Sequence, residues 1–151
     1  MTYLIQRGTA AALAALTLVM SAFAMTAAWA QDVQRIRIRM GDRAVTATLN
    51  DSAAARDFFT MLPVSIRMDD LLRREKTGVL PRRLSEEASG SSSYALADLG
   101  YWRPRGTFVI FYGHDGLNIP SPGIVLLGKV DANVEIFDRP GSVEVTVERL
   151  D

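Results

Sequence analysis

From Arg35 to Met40 arginine alternates with an apolar residue, so that Ile36, Ile38 and Met40 take one parity and Arg35, Arg37 and Arg39 the other. An extended strand sends successive side chains to opposite faces, so this segment reads as a strand with one buried and one wet face. Gly41-Asp42 follows as a tight turn, the glycine able to take a positive φ. Val45, Ala47 and Leu49 then alternate with Ala44, Thr46 and Thr48 in a return strand. A lone half-apolar hairpin is marginal in water, so the chain needs further strands to cover it.

The pattern changes at Asn50-Asp51-Ser52. These helix-capping residues precede Ala55, Phe58, Phe59 and Leu62, spaced i, i+3, i+4, i+7, and Pro63 ends the run. One helix is expected at about 51–62, with its aromatic face covering an open end of the sheet or barrel. Alternation resumes at Val64, Ile66 and Met68. The charged stretch Arg73-Arg74-Glu75-Lys76, Thr77-Gly78 and a short segment from Val79 to Leu84 follow. Ser85 to Ser93, rich in Ser, Glu and Gly, reads as a mobile surface loop.

Leu99 to Trp102 and Thr107 to Tyr112 are dense enough for strands buried on both faces, joined by the turn Pro104-Arg105-Gly106. His114 to Gly123 is a loop and Ile124 to Leu127 another buried strand. Val134 with Ile136, then Val143, Val145 and Val147, predict two closing strands around Pro140-Gly141. Eight or nine short strands with one helix make the fold mainly β, a closed barrel or a sandwich.

The N-terminus is read as an export signal. Arg7 is its only charge, Gly8 to Ala30 is uncharged and apolar, and Ala28-Trp29-Ala30 places small residues where a signal peptidase cleaves, before Gln31. Residues 1–30 are therefore expected to leave, and 31–151 to form a single domain, periplasmic or secreted, touching the membrane only transiently through its signal. The chain carries 17 basic and 17 acidic residues, so loss of Arg7 leaves a net charge of about −1. Such a balance provides no field for nucleic acid. With no cysteine anywhere, thiol catalysis, thiolate metal sites and disulfides are excluded.

Asp98-Leu99-Gly100-Tyr101-Trp102-Arg103-Pro104-Arg105-Gly106, followed by Phe108-Val109-Ile110-Phe111-Tyr112-Gly113, resembles the hallmark of small bacterial cyclophilin-like proteins. Thr46 to Pro63, Glu75-Lys76-Thr77-Gly78-Val79-Leu80-Pro81 with Leu84, and Leu126-Leu127-Gly128-Lys129-Val130 agree in the same order. The resemblance implies a closed cyclophilin-like β-barrel of about eight strands with one capping helix, and no established reaction. Ala97 departs from it, since the family usually has glycine before that aspartate. True cyclophilins turn X-Pro bonds with a placed Arg and a Gln in the signature Arg-x-x-x-x-Phe-x-x-x-Gln. That signature is absent here, and Gln31 and Gln34 are the only glutamines beyond the signal.

Other chemistry is thin. His114 is the only histidine, beside Asp115; one His without Cys makes no usual zinc site, and Asp115 with Asn118 lacks an EF-hand spacing. No Gly-x-Ser-x-Gly elbow or phosphate-binding glycine motif occurs. Arg73-Arg74 and Arg82-Arg83 read mostly as solvated charge. The aromatic and basic residues of the two dense strands form the strongest constellation, in which one face is core and the other lines a cleft with Arg82 or Glu75. Glu75, Arg82, Tyr101, Arg103, Tyr112 and His114 are thus the candidate ligand-binding residues, with no catalytic residue, cofactor or metal assigned. The expected function is a non-catalytic module binding a small molecule or peptide. The alternatives are an atypical peptidyl-prolyl isomerase and an envelope protein-interaction scaffold.

Overall fold

A computed structural model of the chain describes residues 32–85 and 89–151; the expected signal, its Ala28, Ala30 and Gln31 cleavage positions and Glu86-Glu87 lie outside the described residues. The opening hairpin forms as its alternation dictates. β1 (Arg35–Met40) and β2 (Arg43–Leu49) pair antiparallel, with Ile38 opposite Val45. Ile36, Ile38, Val45, Ala47 and Leu49 are buried and the arginines stay outside.

Helix α1 (Ala53–Met61) starts at Ser52, whose hydroxyl accepts the Ala55 N–H at 3.1 Å, and stops before Pro63. Phe58 is fully buried and stacks on Phe108, 4.9 Å between ring centres. Phe59 is half-buried under the Arg149 guanidinium. The helix closes the barrel end where β2 leaves and β3 (Val64–Leu71) enters.

β4 (Glu75–Val79), β5 (Asp98–Trp102), β6 (Thr107–Phe111), β7 (Val125–Val130) and β8 (Val143–Arg149) complete the sheet. The order is β1-β2-β7-β5-β6-β4-β3-β8, antiparallel throughout, and β8 pairs with β1 to close a barrel. Apart from Lys76 on β4, the inward set of the strands is apolar, so closure buries one continuous core and leaves no strand edge unpaired. The expected mainly β, eight-stranded closed barrel with one capping helix is the observed fold.

Three local expectations need correcting. Val134–Phe137 is a short 3-10 helix rather than a strand, because Val134 and Phe137, one 3-10 turn apart, are the residues that bury. Of the pair Arg73-Arg74, expected as solvated charge, Arg73 is exposed but Arg74 is buried, as are Glu75 and Lys76, which begin β4. Within the Ser-rich stretch, Ser91 and Ser92 are pinned to the segment before β7, Ser91 by two bonds to Ile124 at 2.7 and 2.8 Å and Ser92 O by the Ile119 N–H.

The end opposite α1 is plugged by charge. Lys76 points into the barrel with no exposed surface, and its Nζ lies 2.9 Å from Asp70 Oδ1. It also donates to the carbonyls of Arg139 and Gly141, and the Tyr112 hydroxyl donates to Asp70. Burial opposes the Asp70 charge, but bonds from Tyr112 and Lys76 outweigh it and hold the carboxyl below its ordinary range. Burial, then the hydrogen bond to Asp70, pushes the Tyr112 phenol well up.

Candidate functional site

The outward residues of β3, β4 and β6 do not all face open solvent. Val109 and Phe111 of β6 pack with Tyr94, Ile119 and Ile124 into a second apolar cluster, against which Trp102 and Leu126 rest. The segment from Ile119 to Ile124 is thereby packed against the outer face of the barrel through Ile119 and Ile124. Gly100 permits this approach, since a Cβ there would meet Ile124 Cγ1 at 2.5 Å.

Between that segment and the β3–β4 hairpin lies a cavity of about 640 Å³, within the size range of small-ligand sites. Thr77, Val109 and Phe111 line its floor, Ile119, Pro120 and Ile124 one side, and Leu71, Leu72 and Val79 the other. The last three are exposed apolar side chains, at 43%, 65% and 67%, Leu71 and Leu72 at the mouth beside the β3–β4 turn and Val79 at the far end of β4. Leu72 and Arg73 both hold left-handed backbone, φ 56° and 53°, in the tight turn closed by Arg74 N–H to Leu71 O. Such turns favour Asn-Gly; each branched or long residue there costs about 1–2 kcal/mol.

Polar groups occupy the two ends of the cavity. At one end Glu75, 94% buried, meets Arg74, whose Nε donates to Oε2 at 2.9 Å and whose Nη2 lies 2.8 Å from the same oxygen. Oε1 has no partner among the described residues. Arg74 Nη1 donates to Asp115 Oδ2 at 2.9 Å, and Asp115 Oδ1 accepts from the Tyr94 hydroxyl and Leu117 N–H, each at 3.0 Å. The Tyr94 ring stacks on Phe111 at 4.1 Å and on His114 at 4.3 Å, with the Arg74 guanidinium 5.2 Å from its centre. Burial raises the Glu75 carboxyl above its usual range; Arg74 counteracts this and Asp115 adds to it. Asp115, held chiefly by the Leu117 N–H, lies below its usual range.

At the other end stand Arg67, Arg105 and Trp102. Trp102 pairs with Thr107, which pairs with Val79, and Leu80 N–H donates to Gly106 O, so these three converge where β4 ends. Neither Arg67 nor Arg105 makes an ion pair or side-chain hydrogen bond among the described residues.

Of the six sequence candidates, Glu75 lines this cavity. Arg82 lies near α1, its guanidinium forked onto Asp57 at 2.7 and 3.0 Å with Thr60 at 3.1 Å. Tyr101 is core, its hydroxyl accepting Leu84 N–H at 3.2 Å. The Arg103 carbonyl receives Arg83. Tyr112 belongs to the Lys76 plug. His114 sits behind the cavity end, Nδ1 accepting Gly116 N–H at 2.9 Å and Nε2 meeting Tyr94 O at 3.1 Å. Sequence reasoning missed Arg67, Arg105 and Ile119, and placed Trp102 in the aromatic constellation without making it a candidate. The alternation of Thr107, Val109 and Phe111 was the available signal for the wall they share. Among the described residues no cluster of three or more His, Asp or Glu could hold a metal, and no helix is long and apolar enough to cross a membrane.

The model of the Cyclophilin-like family matches residues 38–148, nearly all of the barrel. Among solved structures, the hypothetical protein AF2241 from Archaeoglobus fulgidus is similar at a TM-score of 0.64 and 19% identity, covering 78% of this chain and 95% of its own. McbB, solved in complex with tryptophan, is similar at a TM-score of 0.52 and 12% identity; the match covers 76% of this chain and 44% of McbB. Both share the fold. No curated protein sequence matches the chain.

Proposed function

We propose, from the premise that this chain belongs to the cyclophilin-like family, that its domain is an exported binding module whose ligand sits in the cavity beside β4. The observation that carries this reading is Glu75, a largely buried residue whose Oε2 is taken by Arg74 while Oε1 accepts no hydrogen bond from a described residue and stays open at the end of an aromatic- and aliphatic-lined cavity. Burying a charged acceptor is costly unless it gains a partner, and a ligand donor supplies one. Rings and aliphatic side chains give contact area, and few polar groups fix orientation. Arg74 is held on both sides by carboxylates, so the site is organised before anything enters.

A ligand that binds only the folded chain raises its apparent stability by mass action. A thermal-shift screen of small metabolites, metal ions and proline-containing peptides tests the reading. An upward shift lost in Trp102→Ala and Glu75→Ala supports it; no shift with any class of compound overturns it. Export is tested separately by N-terminal sequencing of protein recovered outside the cytoplasm, which is expected to begin at Gln31.

A second reading, prolyl isomerisation, is favoured by one arrangement: the unpaired Arg105 guanidinium lines the same cavity as Trp102 and Phe111. It requires catalysis without the usual glutamine. A protease-coupled proline assay at the background rate removes it.

A further inference from the structure

We infer that the cavity is polarised and takes an elongated zwitterion of the size of an extended tetrapeptide, its ammonium at Glu75 and its carboxylate at Arg67 and Arg105. This rests on the cavity being a binding site, as proposed above, and adds the chemical class of the ligand.

The argument begins with charge. At the Glu75 end two carboxylates, Glu75 and Asp115, share the single guanidinium of Arg74. With both carboxylates ionised, the cluster carries a formal charge of −1. One added cation on Glu75 Oε1 balances it and meets the one oxygen of these two carboxylates that accepts no hydrogen bond from a described residue. At the far end the sign reverses. Arg67 and Arg105 are both exposed, and their guanidinium groups make no ion pair among the described residues. Two forked donors in one place match a carboxylate.

Strand geometry sets the spacing. Glu75 and Val79 bound β4 and both face the cavity, so the two ends are about 13 Å apart at 3.3 Å per residue. Four extended residues span about the same length. The groove between is apolar on its floor and at the Leu71–Leu72 mouth, which suits side chains of leucine size in the middle of the ligand.

The test uses the chain titrated calorimetrically with Ala-Leu-Leu-Ala in four forms: free, N-acetylated, C-amidated and doubly capped. Losing one charge-assisted contact is expected to weaken binding about tenfold. Acetylation should do so in the wild type but not in Glu75→Gln, and amidation should do so in the wild type but not in Arg67→Ala/Arg105→Ala. Glu75→Gln keeps an acceptor for Arg74; should it fail to fold, the capping series on the wild type decides alone. Capped and free peptides binding equally, with Trp102→Ala still abolishing both, overturn the polarity and leave the cavity as a binding site. No peptide binding, while another class of compound raises stability through Trp102, overturns the ligand class alone. No binding by any compound overturns the parent reading.

Discussion

The Lys76 ammonium lies 2.9 Å from Asp70 Oδ1 with the lysine side chain wholly out of solvent, inside a barrel otherwise lined by apolar groups. Removing one partner of such a pair strands the other charge, which costs about 3–5 kcal/mol. Lys76→Met should therefore lower unfolding free energy by that amount in urea. Asp70→Asn, which retains an acceptor for both Lys76 and Tyr112, should lower it less. Equal, small losses in both would show that the plug is not a cooperative unit.

The Glu75 carboxyl lies above its ordinary value of 4.5, so the folded state holds its proton more tightly than the unfolded chain does. Its contribution to stability is present below about pH 4.5 and is lost as pH rises through the higher folded value. Glu75→Gln removes that slope. The variant's stability relative to wild type should rise with pH from about 4.5 upward. A difference flat across that window contradicts the buried, partly compensated carboxylate.

Leu72 holds a left-handed backbone while its side chain lies at the cavity mouth. Leu72→Gly relieves about 1 kcal/mol of strain and removes the side chain from the mouth. Stability should rise and ligand affinity should fall together. Opposite signs in one variant are what a residue retained for binding would produce. A fall in both would place Leu72 in packing instead.

Ala97 has φ 74°, in the region where glycine is at ease, and it precedes Asp98 at the position where the resemblance leads one to expect glycine. Ala97→Gly should stabilise the fold by about 1 kcal/mol, the relief of strain exceeding the added chain entropy. Chemical denaturation measures this directly, and any loss of stability would mean that the Ala97 methyl packs well enough to offset its strain.

Arg82 is engaged by Asp57 and Thr60 near α1, away from the cavity. Arg82→Ala should leave ligand affinity unchanged and lower the melting temperature slightly, less so at high salt. A large affinity loss would relocate the binding surface toward the helix.

Legibility followed the way each element is stabilised. β1, β2 and α1 were readable because their burial comes from their own apolar periodicity, and Ser52 and Pro63 mark the helix ends locally. β4 was not readable, because Glu75 and Lys76 are buried only by virtue of Asp70, Asp115 and two loop carbonyls far along the chain. Val134 and Ile136 fit a strand and a 3-10 turn equally until Phe137 is seen to bury. The cavity was hidden for the same reason as β4. Glu75 was named from its neighbours in sequence, but Arg67, Trp102, Arg105 and Ile119 come to line the same cavity only after closure. Tyr101 and Trp102 split faces as alternation requires, and only the barrel's curvature shows that Trp102 is the one facing the cavity.

The position of β8 in the strand order bears on when the domain can exist at all. Among the eight barrel strands it comes last in sequence, yet it is the seam that joins β1 to β3. Until Arg149 has been made, a nascent chain has two open β edges and no complete core, a state prone to pairing with other chains. Synthesis order and assembly order are therefore opposed at this seam. Closure of the barrel is a single late event, set by the completion of β8 rather than by gradual accretion from its first hairpin.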